Sequence, residues 1–308
     1  MSNKELEQLT IVIDFDSTFT KVEGLDELAR IALEGNPKQA EIVGKIREIT
    51  DKGMTGEYSF ADSLRERVAL LPANQLHVDQ LIAFLKGKIS ESFKRNKAFI
   101  REHADRILIV SSGFKDFIVP VVADMGIAAE NVHANTFTYD GEGNITGYDH
   151  TNLLSQDKGK VRLLQSLALE GEVFVIGDGY TDYELREAGL ANKFFAFTEN
   201  VSRKAVTDKA DFVVPSLDEF LYINGLSRAQ SYPKSRIKVL LLENVHPTAV
   251  SLFTKEGFQV ELLKGALDED ELIEKIKDVS IIGLRSKTNL TKKVLEHPNA
   301  SRLMCVGA

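Results

Sequence analysis

The sequence predicts an α/β protein built on a doubly wound parallel sheet, with a helical cap inserted after the first strand and a partial α/β segment at its C-terminal end. Two observations lead to this prediction. Short apolar runs of strand length alternate with helical stretches over residues 9–215, and a similar alternation resumes at Ile237. Several of the apolar runs end in acidic, serine-containing or glycine-containing turns, as strands of open α/β sheets do.

The composition argues against several classes of function. The 308 residues are 43% apolar and 27% charged, which suits two domains with a buried core. The single cysteine, Cys305, allows no internal disulfide, and no apolar stretch reaches the ~18 residues of a membrane span. We therefore expect a cytoplasmic protein. A net charge of −8 argues against nucleic-acid and membrane partners, so an anionic substrate needs a locally basic pocket.

The first strand is predicted at residues 9–16, where Leu9 to Ile13 form a continuous apolar run. Residues 22–104 are mostly helical in pattern, with clear helical spacing over 26–32 and 60–71 and a stop at Pro72. A helical block of this length directly after the first strand predicts an inserted cap rather than a simple crossover helix.

Alternating elements then return. The pattern predicts a hairpin within 132–149, helices at 115–125 and 158–169, and strands at 106–111, 172–177, 193–197 and 211–215. We assign residues 1–224 to a first domain, with its core at 1–21 and 105–224 and its cap at 22–104. Residues 225–236 are a polar linker, and 237–308 are the second segment, with strands at 237–242, 258–263, 279–284 and 302–306.

Four groups of polar residues fall at the ends of predicted elements of the first domain. They are Asp14 with Asp16, Ser111-Ser112-Gly113, Lys158-Gly159, and Gly177 to Asp182. Each alone has an ordinary structural explanation as a helix cap, a turn or a solvated lysine. Together, in this order, they favour one active site, because a doubly wound fold brings strand ends to one rim.

The residue types at this rim suit phosphoryl transfer. Asp14 is placed to attack phosphorus as a carboxylate nucleophile, and Asp16 to protonate the leaving oxygen and later activate water. Mg²⁺ is the expected cofactor, with Asp14, Asp178 and the backbone carbonyl of Asp16 as its oxygen ligands.

Further groups at the rim are expected to assist. Ser111, the amide of Ser112 and Lys158 are predicted to bind phosphoryl oxygens, while Gly113 lets the backbone approach. Asp182 would act on the metal indirectly, through a water, or orient Lys158.

These motifs resemble those of the haloacid dehalogenase superfamily, and over residues 9–220 they are most similar to its phosphoserine phosphatase branch. The resemblance implies hydrolysis of O-phospho-L-serine in serine biosynthesis. In the cap it implies that Glu23 pairs with the substrate ammonium and Arg67 with its carboxylate, while Met54 and Phe60 shield the site. The chain departs from the family at Thr181, where an Asn is usual, and this residue bears on the fine contact with substrate.

The second segment resembles the N-terminal part of D-3-phosphoglycerate dehydrogenase. The motifs are 243–246, 264–268 and 282–288, and the resemblance gives Arg285 and Ser286 the role of binding an acid substrate. The sequence has no Gly-x-Gly-x-x-Gly turn for a dinucleotide, and the catalytic His and Arg of that family would lie beyond residue 308. We therefore expect an inactive remnant or a fragment of a longer bifunctional fusion. Both enzymes act in serine synthesis, which favours the phosphoserine interpretation.

Two alternatives stay open at this level. One keeps the chemistry and changes the substrate to another small phosphorylated metabolite, with Thr181 and Glu23 as the discriminating positions. The other makes the chain a binding or assembly module whose C-terminal segment docks a dehydrogenase subunit. The sequence leaves open whether the chain forms a homo-oligomer or joins a dehydrogenase partner.

Overall fold

The computed structural model describes residues 8–55, 57–298, 300 and 303–307. The chain divides into two compact units, Met1–Ala229 and Gln230–Ala308, and the division falls inside the segment that the sequence assigns to a linker. No helix in the described ranges has both the length and the apolar content needed to cross a membrane.

The first unit is built on a six-stranded parallel sheet with the strand order β3-β2-β1-β6-β7-β8. Its strands are β1 (Leu9–Ile13), β2 (Ile107–Phe114), β3 (Val132–Asn135), β6 (Glu172–Gly177), β7 (Lys193–Phe197) and β8 (Phe212–Val214). The central strand β1 pairs with β2 on one side and β6 on the other, so that Ile13 lies opposite both Ile109 and Ile176. The prediction of a doubly wound parallel sheet is confirmed.

Both faces of this sheet are buried, as the apolar runs indicated. Ile11 and Ile13 face a large hydrophobic cluster that continues into the cap, whereas Val12 faces a second cluster on the opposite side. Side chains alternate across a strand, so a strand covered on both faces is apolar at nearly every position.

The cap lies between β1 and β2 and is helical throughout its regular elements. Its helices are α1 (Gly24–Ala32), α2 (Gln39–Thr55), α3 (Phe60–Ala69), α4 (Gln75–Lys86), α5 (Glu91–Arg95) and α6 (Lys97–Glu102). Ser59 and Asn74 cap the N-terminal ends of α3 and α4 with their side chains. Leu28, Leu64 and Leu81 are fully buried and join the cap to the core cluster below it.

The remaining helices of the first unit follow the strands of the core. They are α7 (Lys115–Ala123), α8 (Gly159–Leu167), α9 (Tyr180–Glu187), α10 (Lys204–Thr207) and α11 (Leu217–Ile223). An antiparallel hairpin, β4 (Phe137–Tyr139) with β5 (Ile145–Tyr148), reaches the cap, where the backbone amide of Gln75 donates to the carbonyl of Gly143 at 2.9 Å.

The second unit is a four-stranded parallel sheet with the order β10-β9-β11-β12. Its elements are β9 (Lys238–Leu241), α12 (Pro247–Lys255), β10 (Gln259–Leu262), α13 (Glu269–Lys275), β11 (Ile281–Leu284), α14 (Lys292–Leu295) and β12 (Met304–Gly307). Leu240 and Ile282 are fully buried between this sheet and its helices.

Two element boundaries differ from the sequence prediction in ways that shape the site. The first strand ends at Ile13 rather than at residue 16, because the chain enters a tight turn at Phe15–Phe19 in which Ser17 has a φ of 54°. The second strand is longer than predicted and runs through Ser111 to Phe114. The serine motif is therefore held in the sheet itself.

Candidate active site

The site lies at the carboxyl ends of the three adjacent strands β2, β1 and β6. The backbone amide of Asp14 donates to the carbonyl of Ile176 at 3.0 Å, which fixes the exit of β1 against the exit of β6. Asp14, Ser111 and Asp178 are all buried at this edge. The strand order thus brings together three of the four polar groups that the sequence singles out.

Asp14 is paired with a buried lysine. Its Oδ1 accepts from the amide of Phe15 at 2.8 Å and lies 2.9 Å from Nζ of Lys160. The same Nζ lies 2.7 Å from Oδ1 of Asp182. Burial opposes the charge of Lys160, but the carboxylates of Asp14 and Asp182 outweigh burial and raise the pKa of the ammonium, so Lys160 is a permanent cation here.

The sequence prediction placed Lys158 in this role, and the structure does not bring it there. Lys158 is exposed and precedes α8 with a left-handed φ of 56°. Lys160 lies within the first turn of the helix, and its side chain is only 3% exposed. The two lysines flank Gly159, where an added Cβ would lie 2.3 Å from the carbonyl oxygen of Leu153, so this close approach needs glycine.

Asp178 and Asp182 occupy the loop after β6 and the start of α9. Oδ1 of Asp178 accepts from the hydroxyl of Thr18 at 2.8 Å, and its Oδ2 accepts from Arg203. Burial, followed by repulsion from Asp14, raises the pKa of Asp182 to about 7. An added Cβ at Gly177 would lie 2.3 Å from the carboxyl group of Asp182, so only glycine fits there.

Asp16 lies in the turn after β1 and faces the cap. Its Oδ1 accepts from the amide of Gly24, the first residue of α1, at 2.7 Å. Burial, then the charges of Glu23 and Asp14, hold the pKa of Asp16 well above its usual value. A carboxyl group that keeps its proton in this way is suited to donate it to a leaving group.

Ser111 is 1% exposed, and its Oγ accepts from the amide of Gly113 at 2.9 Å. An added Cβ at Gly113 would lie 3.0 Å from Oδ2 of Asp16 and 3.2 Å from Oγ of Ser111. The serine motif of β2 and the acid of the first turn are therefore in contact distance of each other.

A small, partly open pocket lies between the core and the cap, with a cavity of about 10 Å³, room for about one water molecule. It is lined by Asp16, Glu23, Leu25, Arg67, Ser112 and Gly113. The carboxylate of Glu23 accepts from the hydroxyl of Ser17 at 2.6 Å. Arg67, on α3, is 5% exposed. A substrate can enter only if the cap moves away from the core.

The other cap residues of the prediction are less directly placed. Phe60 begins α3, is half-buried and packs against the main hydrophobic cluster. Thr181 is half-buried in the first turn of α9. The side chain of Met54 lies outside the described part of the structure. Their roles toward a substrate stay predictions.

The site holds more carboxyl groups than cations, and a divalent cation there would favour their ionised forms. In the described part of the site, five carboxyl groups face three cations: Asp14, Asp16, Glu23, Asp178 and Asp182 against Arg67, Lys160 and Arg203. No group of three or more His, Cys, Asp or Glu side chains with metal-binding geometry occurs among the described residues. A metal here would therefore combine two carboxylates with backbone or water oxygens, an oxygen-only set that suits Mg²⁺.

Sequence reasoning missed two cations of the site, Lys160 and Arg203. The Lys-Gly-Lys pattern offered two lysines, and only the left-handed backbone at the first of them decides which one points inward. Arg203 precedes the short helix α10, contacts Asp178, and lies 4.0 Å from Glu23. It belongs to no motif that the sequence displays.

Comparison with known proteins identifies the family to which this chain belongs. Residues 11–187, more than half of the chain, match the family model of the haloacid dehalogenase-like hydrolases, and the protein belongs to that family. It is 29% identical over 229 residues to human phosphoserine phosphatase, covering 72% of this chain and 97% of the relative.

Comparison with solved structures also finds similarity to phosphoserine phosphatases. A phosphoserine phosphohydrolase-like protein from Francisella tularensis shares 29% identity at a TM-score of 0.63, covering 70% of this chain and 98% of its own. A phospho-aspartyl intermediate analogue of phosphoserine phosphatase shares 25% identity at a TM-score of 0.56, with 70% and 98% coverage. The resemblance that the motifs predicted is confirmed.

The second unit is similar to a different family. Residues 239–308 match the family model for the catalytic domain of D-isomer specific 2-hydroxyacid dehydrogenases. D-3-phosphoglycerate dehydrogenase of Dictyostelium discoideum is 53% identical over 77 residues, which are 25% of this chain and 18% of that enzyme. This resemblance is confirmed as well, for a small part of the dehydrogenase only.

The structure of this unit shows what its motif residues do locally. Glu243 is buried, and its carboxylate accepts from the backbone amides of Lys287 at 2.9 Å and Thr288 at 2.6 Å. Arg285 and Ser286, at the start of the same loop, are exposed. Burial opposes the charge of Glu243, but the amide donors outweigh it and lower the pKa of the carboxyl group.

Proposed function

We propose that this protein hydrolyses O-phospho-L-serine to L-serine and phosphate through a phosphoaspartyl intermediate on Asp14. The observation that carries the substrate is the pocket in which Glu23 and Arg67 lie beside Asp16. A carboxylate and a guanidinium in one pocket match the ammonium and carboxylate of an amino acid. A sugar phosphate offers neither charge.

In the first half of the reaction, a carboxylate oxygen of Asp14 attacks phosphorus and the bond to the serine oxygen breaks. Asp16, whose raised pKa keeps it protonated, gives its proton to that oxygen. Ser111, the amide of Ser112 and Lys160 are placed to stabilise the charge that develops on the phosphoryl oxygens.

In the second half, Asp16 has become the base. It takes a proton from a water that attacks the phosphoaspartate, and phosphate leaves while Asp14 is restored. Closure of the cap over bound substrate would exclude other water during the first step.

Mg²⁺ would be held by Asp14, Asp178 and the backbone carbonyl of Asp16, with Asp182 acting indirectly. When bound, it supplies positive charge between the nucleophile and the phosphoryl oxygens, which otherwise repel each other. The chain's own contribution is to keep Asp14 and Asp178 buried and fixed, through Lys160 on one side and Thr18 on the other. Arg203, which contacts Asp178, would have to share that carboxylate with the ion.

A phosphate-release panel tests this proposal. We expect the highest kcat/KM for phosphoserine, a lower value for phosphothreonine and much lower values for glucose 6-phosphate and O-phosphoethanolamine. Glu23→Gln should lower kcat/KM for phosphoserine and leave that for glucose 6-phosphate nearly unchanged. Equal turnover of phosphoserine and sugar phosphates by the wild-type protein would overturn the substrate assignment and favour a phosphatase of another small metabolite.

The second unit leads to no proposal of dehydrogenase activity. Its role as a docking element for a dehydrogenase subunit, or its place in a homo-oligomer, is tested by deleting residues 230–308 and comparing oligomer size and turnover with those of the full chain. An oligomeric state and a turnover that the deletion leaves unchanged would count against an assembly role.

A further inference from the structure

We propose that Asp26 is a positioning residue for Arg67 and thereby sets the preference of the pocket for substrates that carry a carboxylate. This inference rests on the proposed function, in which Arg67 binds that carboxylate. Asp26 lies on α1, three residues after Glu23, and is not among the residues that line the pocket.

Asp26 is a buried carboxylate, only 5% exposed, and burial of this kind needs compensating donors or charges. The hydroxyl of Thr50, on α2, donates to its Oδ1 at 3.0 Å. Nε of Arg47, on the exposed side, lies 3.8 Å from its Oδ2. Asp26 thus joins two helices of the cap directly behind the pocket.

The same threonine reaches Arg67. Nη1 of Arg67 donates to Oγ1 of Thr50 at 3.4 Å, and its Nε donates to the carbonyl of Ser63 at 3.3 Å. The single proton of the Thr50 hydroxyl is shared between Oδ1 of Asp26 and the carbonyl of Ile46, each at 3.0 Å, while its oxygen accepts from Arg67, so Thr50 links Asp26 to the guanidinium. The relay connects α1, α2 and α3.

The charges around Arg67 explain why such a relay matters. Three carboxyl groups act on the guanidinium: Glu23 and Asp16 from within the pocket, and Asp26 from behind it. If the guanidinium moved toward Glu23, the two charges that should receive the substrate would neutralise each other. Asp26 and Thr50 hold Arg67 back, so that it faces an incoming carboxylate without folding onto Glu23.

The test compares Asp26→Asn with wild type on two substrates that differ by one group, phosphoserine and O-phosphoethanolamine, which lacks the carboxylate. We expect KM for phosphoserine to rise about tenfold in the variant, with kcat changed less than about threefold, since a hydrogen bond to a charged group is weakened. KM for phosphoethanolamine should stay the same. Thr50→Val should likewise raise KM for phosphoserine relative to KM for phosphoethanolamine.

Asp51→Asn is the matched control, because Asp51 is an exposed carboxylate next to Thr50 and should leave both KM values unchanged. If circular dichroism shows that Asp26→Asn does not fold, Asp26→Glu and Thr50→Val replace it. The ratio of KM for phosphoserine to KM for phosphoethanolamine is then measured in those variants. An equal rise in KM for both substrates would mean a merely structural role and overturn the inference.

An error in the proposed function and an error in the role of Asp26 would give different results. If wild type does not prefer phosphoserine over phosphoethanolamine, the role of Arg67 and the role of Asp26 are both wrong. If wild type has the preference and the Asp26 and Thr50 variants keep it, only the role of Asp26 is wrong.

Discussion

Replacing Lys160 by methionine removes the ammonium while keeping a side chain of similar length. In the structure this cation lies 2.9 Å from Asp14 and 2.7 Å from Asp182, and all three side chains are buried. The replacement leaves two buried carboxylates without the charge that compensates them. Breaking a buried ion pair by removing one partner costs about 3–5 kcal/mol.

We expect the lower end of that range for Lys160→Met. Asp182 has a pKa of about 7, so it can take up a proton when the lysine is lost, which removes one of the two unpaired charges. About 3 kcal/mol corresponds to a fall in Tm of roughly 6–12 °C for a unit of this size. The loss of one stabilising charge next to the nucleophile should also lower kcat about 10²- to 10³-fold.

The destabilisation should depend on pH. Because the folded-state pKa of Asp182 is raised from its usual 3.8 to about 7, the protein loses stability as pH rises through this range. Lys160 lowers this pKa, so the variant without it continues to lose stability above about pH 7, where the wild type no longer does. The Tm deficit of Lys160→Met should therefore be larger at pH 8 than at pH 5. The double variant with Asp182→Asn should recover part of the lost Tm.

Lys158→Met is the control, because Lys158 is exposed and its replacement should change stability by less than about 0.5 kcal/mol. The assays are thermal unfolding by circular dichroism and phosphate release at saturating substrate. Loss of turnover in Lys158→Met, together with near wild-type turnover in Lys160→Met, would refute the reasoning and return the catalytic role to Lys158.

Three further outcomes follow from the geometry. Gly177→Ala should lower Tm and turnover, because its Cβ would lie 2.3 Å from the carboxyl group of Asp182; thermal unfolding and phosphate release report both. Asp157 accepts from the hydroxyl of Ser59 and from the amide of Ala61, both at 3.1 Å, and so connects the core to the cap. Asp157→Ala should therefore raise KM about threefold with little change in Tm, as measured by steady-state kinetics and thermal unfolding. A chelator should abolish phosphate release and added Mg²⁺ should restore it, whereas activity that survives chelation would exclude a metal at Asp14.

Much of the fold could be predicted because its signals are local. Strand β6 coincides with the predicted apolar run at 172–177, and the helical cap lies within the predicted block 22–104. The acids after β1 and β6 could be placed at one edge because parallel strands end together. Boundaries were less predictable where side chains decide them: Asp14 caps the turn that ends β1, and hydrophobicity alone does not reveal this.

Only the site residues that belong to sequence motifs could be predicted. Asp14, Ser111 and Asp178 follow from strand order, but the choice between Lys158 and Lys160 depends on a backbone angle that no composition rule gives. Arg203 and the relay from Asp26 depend on contacts between elements far apart in sequence. Such contacts arise from tertiary packing, and no periodic pattern in the sequence reveals them.

A covalent bond between Asp14 and the phosphoryl group can be detected by tandem mass spectrometry of acid-quenched samples. After incubation with phosphoserine, we expect the peptide that contains Asp14 to carry one phosphoryl group on that residue, and Asp14→Asn to carry none and to release no phosphate. Phosphate release by Asp14→Asn at the wild-type rate, or a phosphoryl group found on Asp16 instead, would contradict the account.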